Sequence, residues 1–211
     1  MSDRSIPGRK VKRTRHPAPP AHNAVTRTAT NLTGQVLIAM PGLDDPEFSH
    51  SVIYLCAHGE DGAMGLIVNR PLAQPSFPDL LRQLNLPPQP ARSIGLCKGG
   101  PVDDGRGFVL HSTDWTGDDS LVVAEGIALT ASLDVLQEIA NGGGPQHGVL
   151  ALGHANWGPG QLDREMRENA WLTADADQDL LFGPAHETKW ARAMAKLNIQ
   201  PGRLSSLSGS A

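Results

Sequence analysis

The chain has 211 residues, the size of one domain at roughly 100–200 residues each. Its formal net charge of −4 is unevenly divided: residues 1–30 hold seven Lys/Arg (Arg4, Arg9, Lys10, Lys12, Arg13, Arg15, Arg27) against Asp3, leaving 11 basic and 21 acidic residues, a net −10, to 31–211. No apolar run approaches the ~18 residues of a membrane-spanning helix and two cysteines cannot staple a domain, so neither a helical membrane span nor a disulfide scaffold is expected.

Residues 1–30 read as a disordered basic arm. Pro7, Pro17, Pro19 and Pro20 interrupt it and no apolar periodicity runs through it, so it buries too little apolar surface to offset the entropy of ordering. A secretory signal needs an apolar run of roughly 7–15 residues behind the positive charges; none follows, and the chain reads as cytoplasmic. Arg9, Lys10, Lys12, Arg13 and Arg15 suit an anionic surface or nucleic acid, because each neutralised phosphate releases counterions. The alternative is a solvated tail, or one folded back on the acidic body. No aromatic residue interleaves these cations, so base stacking has no platform.

The body, 31–211, is patterned. Val36 to Ala39 is a short apolar strand closed by Pro41-Gly42. Ser51 to His58 and Met64 to Val68 form a hairpin about the turn Gly59-Glu60-Asp61-Gly62. Phe77, Leu80, Leu81 and Leu84 share one face of a short helix that admits Pro78 in its first turn. Strands follow at Ile94–Cys97, Phe108–His111 and Leu121–Ala124. Thr130 is placed to cap a helix bearing Leu133, Leu136 and Ile139, which stops at Asn141-Gly142-Gly143-Gly144. Val149 to Leu152 is a buried strand, Gln161 to Asn169 a helix with Asp163 and Glu165 near its positive end, and Ala185 to Leu197 a last helix before Pro201-Gly202. Strands cluster instead of alternating with helices, which predicts an α+β fold.

Chemistry-bearing residues are scattered. Cys56 and Cys97 lie inside apolar strand patterns and read as buried, inert thiols. His58, His111 and His154 end predicted strands, but no histidine pair has metal-ligand spacing, so no metal or other cofactor is expected. A GxSxG elbow, a phosphate loop and a dinucleotide turn are absent. Asp44-Asp45, Asp103-Asp104 and Asp118-Asp119 sit beside Gly or Pro as turn formers. The most informative segment is Gly153 to Leu162, read as a loop from a buried strand into a helix, a geometry that turns backbone N–H groups toward a ligand. There His154, Asn156 and Gln161 offer hydrogen bonds and Trp157 a flat apolar wall, and Gly158 is counted with them as a candidate ligand-binding residue. The alternative is a tight structural turn anchored by Trp157.

Several blocks together carry a resemblance: Leu32 to Pro41, Asp44 to Phe48, Ser51 to Leu55, Gly62 to Pro71, Gly99 to Val102, Gly107 to His111, Trp157 to Leu162 and Glu168 to Leu172. In this order and spacing, over about 31–198, the chain is similar to the AlgH/YqgE family of bacterial proteins, with the basic arm outside the match. The resemblance implies a single α+β domain with a mixed or antiparallel, split and curved sheet approaching a pseudo-barrel, flanked by helices. It also implies a transcriptional-regulator label and carries no agreed catalytic residue. A body of net −10 is a poor partner for a phosphate backbone, so nucleic acid is expected only at the arm. The expected function is regulatory or ligand-sensing, with an unidentified small molecule or protein as partner and no membrane. The alternative is an enzyme or small-anion binder using the turn near His154–Gln161.

Overall fold

The computed structural model describes residues 31–87 and 92–199; the basic arm and Pro201-Gly202 lie outside the described residues. The anticipated hairpin is present as β2 (Val52–Gly59) and β3 (Gly62–Ile67), with β1 (Gln35–Ala39) antiparallel to β2. The remaining strands are β4 (Gly95–Lys98), β5 (Val102–Ser112), β6 (Ser120–Ala124), β7 (Ile127–Thr130), β8 (Gly148–Trp157) and β9 (Trp171–Asp175). Helices are α1 (Phe77–Gln83), α2 (Asp134–Ala140), α3 (Gln161–Arg167), α4 (Gln178–Phe182) and α5 (His186–Lys196).

One sheet runs in the order β6-β7-β5-β8-β3-β2-β1-β9 and curls into an antiparallel half-barrel. β4 joins β8 in parallel, so the sheet is mixed, as the α+β expectation allows. Strand alternation sorts β2 between two cores: Val52, Tyr54 and Cys56 face the inner one, Ile53 and Leu55 the outer. The inner core is closed by Leu180 and Leu181 of α4 and by Ala193 and Met194 of α5. A third cluster joins Phe77 and Leu81 of α1 and Val135, Leu136 and Ile139 of α2 to Val109 and Leu150. α1 begins where Ser76 accepts a hydrogen bond from the Asp79 N–H, a capping geometry.

β8 is the spine, and it is longer than its apolar run suggests. Val149 and Ala151 face the inner core, whereas Ala155 and Trp157 face the outer one. A change of face within one strand needs an extra residue. Gly153 supplies it at φ +71°, opposite the irregular pairing of β5 between Val102 and Gly107. Thus Gly153–Trp157 is strand, not the expected loop, and the connection to α3 shrinks to Gly158–Gly160.

Two further elements differ from expectation. Thr130 caps no helix: it ends β7, its Oγ1 bonding to His111 Nε2 at 2.8 Å and to Ser120 Oγ at 2.7 Å. α2 starts at Asp134 without a side-chain cap. β7, β9 and α4 have no counterpart in the sequence reading; each is five residues or shorter, too short for periodicity alone to separate strand from helix.

Candidate functional site

The segment from His154 to Gln161 divides by face. Trp157 is buried, and its indole Nε1 donates to Glu165 Oε2 at 2.9 Å. Trp171 donates to the same oxygen at 2.8 Å, and Gln161 Nε2 to the other at 2.9 Å. Gln161 Oε1 in turn accepts from the Gly158 N–H at 3.0 Å, and the Gln161 N–H donates to Gly158 O at 3.0 Å. Phe48 packs on both indoles, with centroids 6.3 and 5.8 Å away. Trp157, Gly158 and Gln161 are therefore tied to one another through a single carboxylate, and the N–H groups of Gly158 and Gln161 are already used.

Asn156 and His154 point the opposite way. Asn156 is paired across the sheet with Met64, which packs against the inner core, and is exposed. It lines an open recess of about 450 Å³ along the β2–β3 hairpin, together with Thr33, Cys56, His58, Glu60, Asp61 and Met64. His58 is buried there: its Nδ1 accepts from the Leu32 N–H at 3.2 Å, and its Nε2 lies 3.8 Å from Asp163. His154 is half-buried, edge-on to Phe108 at 5.5 Å, and its buried Nδ1 has no hydrogen-bond partner among the described residues. Burial lowers the His154 pKa; the Asp103 charge opposes this and Arg106 reinforces it.

A second polar cluster, unmarked in the sequence reading, gathers on the Val68 carbonyl at the end of β3. Lys189, fully buried, donates to Val68 O at 3.0 Å and Leu181 O at 2.9 Å. His186 Nδ1 lies 3.3 Å from the same Val68 oxygen, and the Cys97 thiol donates to that oxygen at 3.8 Å. Burial brings the lysine down to about 8, and pushes Cys97 up to about 11 and Cys56 up to about 12, so both cysteines are the buried thiols expected. His111 is also internal, bonded to Ser112 O and Thr130, with its pKa lowered by burial. Among the described residues no three His, Cys, Asp or Glu side chains are grouped to hold a metal ion. No helix of those residues is long and apolar enough to cross a membrane.

The expected site residues thus fall into three sets. Asn156 alone reaches the recess, His154 stands further along β8, and Trp157, Gly158 and Gln161 bond to the fold. Arg9, Lys10, Lys12, Arg13 and Arg15 lie outside the described residues. The hydrogen-bonding role of Glu165 was detectable only as its helical i,i+4 spacing from Gln161; the two indoles come from separate strands.

Comparison with known proteins places this geometry in context. A family model described as AlgH-like matches residues 36–202. A UPF0301 protein of Rhodopseudomonas palustris (strain HaA2) is 51% identical over 189 residues, covering 85% of this chain and 87% of the relative. One from Gluconobacter oxydans is 53% identical over 183 residues, covering 85% and 98%. The solution structure of the AlgH protein from Pseudomonas aeruginosa superposes with a TM-score of 0.69 at 41% identity, covering 86% of this chain and 95% of that one. A crystal structure of a Corynebacterium diphtheriae protein shares the fold, with a TM-score of 0.65 at 21% identity.

Proposed function

The chain belongs to the AlgH-like family, and from that premise we propose that it acts as a regulatory or ligand-sensing domain, without catalysis, taking a small molecule in the recess along the β2–β3 hairpin. The observation that carries this reading is the division of labour on β8 and its turn. Trp157 and Gln161 bond to Glu165 within the fold, while Asn156 stands exposed on the wall of a recess of about 450 Å³, within the usual size of small-molecule sites. Glu60 and Asp61 line that recess and favour a ligand bearing amino or other donor groups.

Melting curves with putrescine, spermidine and arginine as probes test the reading. A ligand at about 100 times its Kd stabilises by about 2.7 kcal/mol, and Asn156→Ala should remove the shift without changing the unliganded melting temperature. No shift with any probe, or an equal shift in Asn156→Ala, counts against the recess. A second reading, an enzyme or anion binder at His154, draws support from that residue's buried Nδ1, which has no partner among the described residues. Turnover lost in His154→Ala would replace the first reading with the second. Nucleic-acid contact, in either case, is assigned to Arg9, Lys10, Lys12, Arg13 and Arg15; its signature is a steep loss of affinity with salt.

A further inference from the structure

The half-barrel ends on an edge that its own charge pattern leaves incomplete. β6 is the last strand of the sheet, and among the described residues it pairs with β7 alone. Leu121 and Val122 on it are 57% and 59% exposed. A bare apolar edge of this kind invites another strand, and proteins commonly protect such edges with charge or cover them. Asp118 and Asp119 precede this strand and Glu125 follows it. None of the three joins an ion pair among the described residues. The edge is therefore apolar in the middle and negative at both ends.

The chain enters the body beside this strand. A Cβ built on Gly34 would lie 3.0 Å from the Ala124 Cβ, at the last residue of β6. Upstream of that entry stand the arm's seven cations. Five of them, Arg9, Lys10, Lys12, Arg13 and Arg15, fall in the nine-residue stretch Gly8–His16, which contains no proline. It is longer than the five-residue β6 and keeps every N–H needed for a ladder. The 14 residues between His16 and Asn31 reach up to about 46 Å at ~3.3 Å each, ample to return along a strand of about 17 Å.

We propose that Gly8–His16 adds to the sheet as a further strand along β6 of its own chain, its Arg and Lys side chains meeting Asp118, Asp119 and Glu125. A second copy of the chain fits this edge poorly. Edge-to-edge pairing of two β6 strands brings like charges together, and five residues fall far short of the ~800 Å² per partner of a stable interface. The tethered segment needs neither: it works at an effective concentration on the millimolar scale. Docking also engages cations that a polyanion would contact, so the two uses of the arm compete.

Amide hydrogen exchange at Ser120–Ala124 in the full chain tests this. At low salt the outward-facing β6 amides should exchange about tenfold or more slower than in a free edge. The protection should disappear in a full-length variant carrying Arg9→Ser, Lys10→Ser, Lys12→Ser, Arg13→Ser and Arg15→Ser. It should disappear likewise in one carrying Asp118→Asn, Asp119→Asn and Glu125→Gln, with β7 and β8 amides unchanged in both. Screening at high salt should weaken it. Free-edge exchange in the unaltered protein, or protection that survives the arm substitutions, overturns the proposal. Protection that grows with protein concentration assigns the edge to a second copy and overturns it equally.

Discussion

Glu165 is the residue whose loss the fold should feel most beyond its apolar core. Its carboxylate accepts from Trp157, Trp171 and Gln161 at 2.8–2.9 Å, and both tryptophans are buried. Glu165→Ala leaves two buried indole N–H groups without an acceptor. Each unsatisfied buried donor costs about 1–3 kcal/mol, so a loss of about 3 kcal/mol is expected, or roughly 6–12 °C in melting temperature for a domain of this size. Glu165→Gln should cost less, about 1 kcal/mol, because its single oxygen can still serve the indoles. Its amide nitrogen then faces Gln161 Nε2, and Gln161 cannot rotate to help without dropping the Gly158 N–H. Urea unfolding followed by tryptophan fluorescence resolves the two variants. If the alanine variant loses under ~1 kcal/mol, or the two variants lose equally, the carboxylate does not organise these indoles and the argument fails.

Three further outcomes follow from the same structure. Gly99→Ala places a Cβ 2.2 Å from Gly153 O and 2.8 Å from the Ala151 Cβ, and the forced shift should cost about 2 kcal/mol or more; an unchanged urea midpoint would deny the close approach of β4 to β8. Lys189 is held at about 8, below its ordinary 10.5, so between those values the unfolded chain binds more protons. Stability of the unaltered protein relative to Lys189→Met should therefore rise with pH across that window, and a gap that stays constant between pH 8 and about 10 contradicts the buried charge. Cys56 and Cys97, pushed up to about 12 and about 11 by burial, should resist a thiol reagent at neutral pH until the chain unfolds; labelling faster than unfolding would refute their burial.

How far the sequence reached depends on the range of each signal. The β2–β3 hairpin, α1 and α5 are legible because their cues lie within a few residues: short apolar runs, the Gly59–Gly62 turn, Pro78 in a first helical turn, and apolar positions three and four apart. Thr130 shows how such cues mislead. It stands before Leu133 and Leu136 as a helix cap would, yet His111 and Ser120, from two other strands, claim its hydroxyl. Gly153 likewise resembles a loop glycine. β8 continues through it because β3 and β5 supply partners on either side.

Of the stretch singled out in the sequence, Asn156 is the residue that lines the recess along the β2–β3 hairpin. The sequence does not show that Trp157 and Gln161 share the Glu165 carboxylate with Trp171, because those contacts form only when α3 packs on β3 and β9. The split of charge into a basic arm and an acidic body is a property of the sequence itself, as are the strand-rich composition and the lack of hydrolase and nucleotide motifs. Which acids flank the edge strand β6, which histidine nitrogen has no partner among the described residues, and which side of β8 faces a recess were decided by strands paired across dozens of residues. Local pattern records a residue's preference for burial. Only the completed pairing determines what it is buried against.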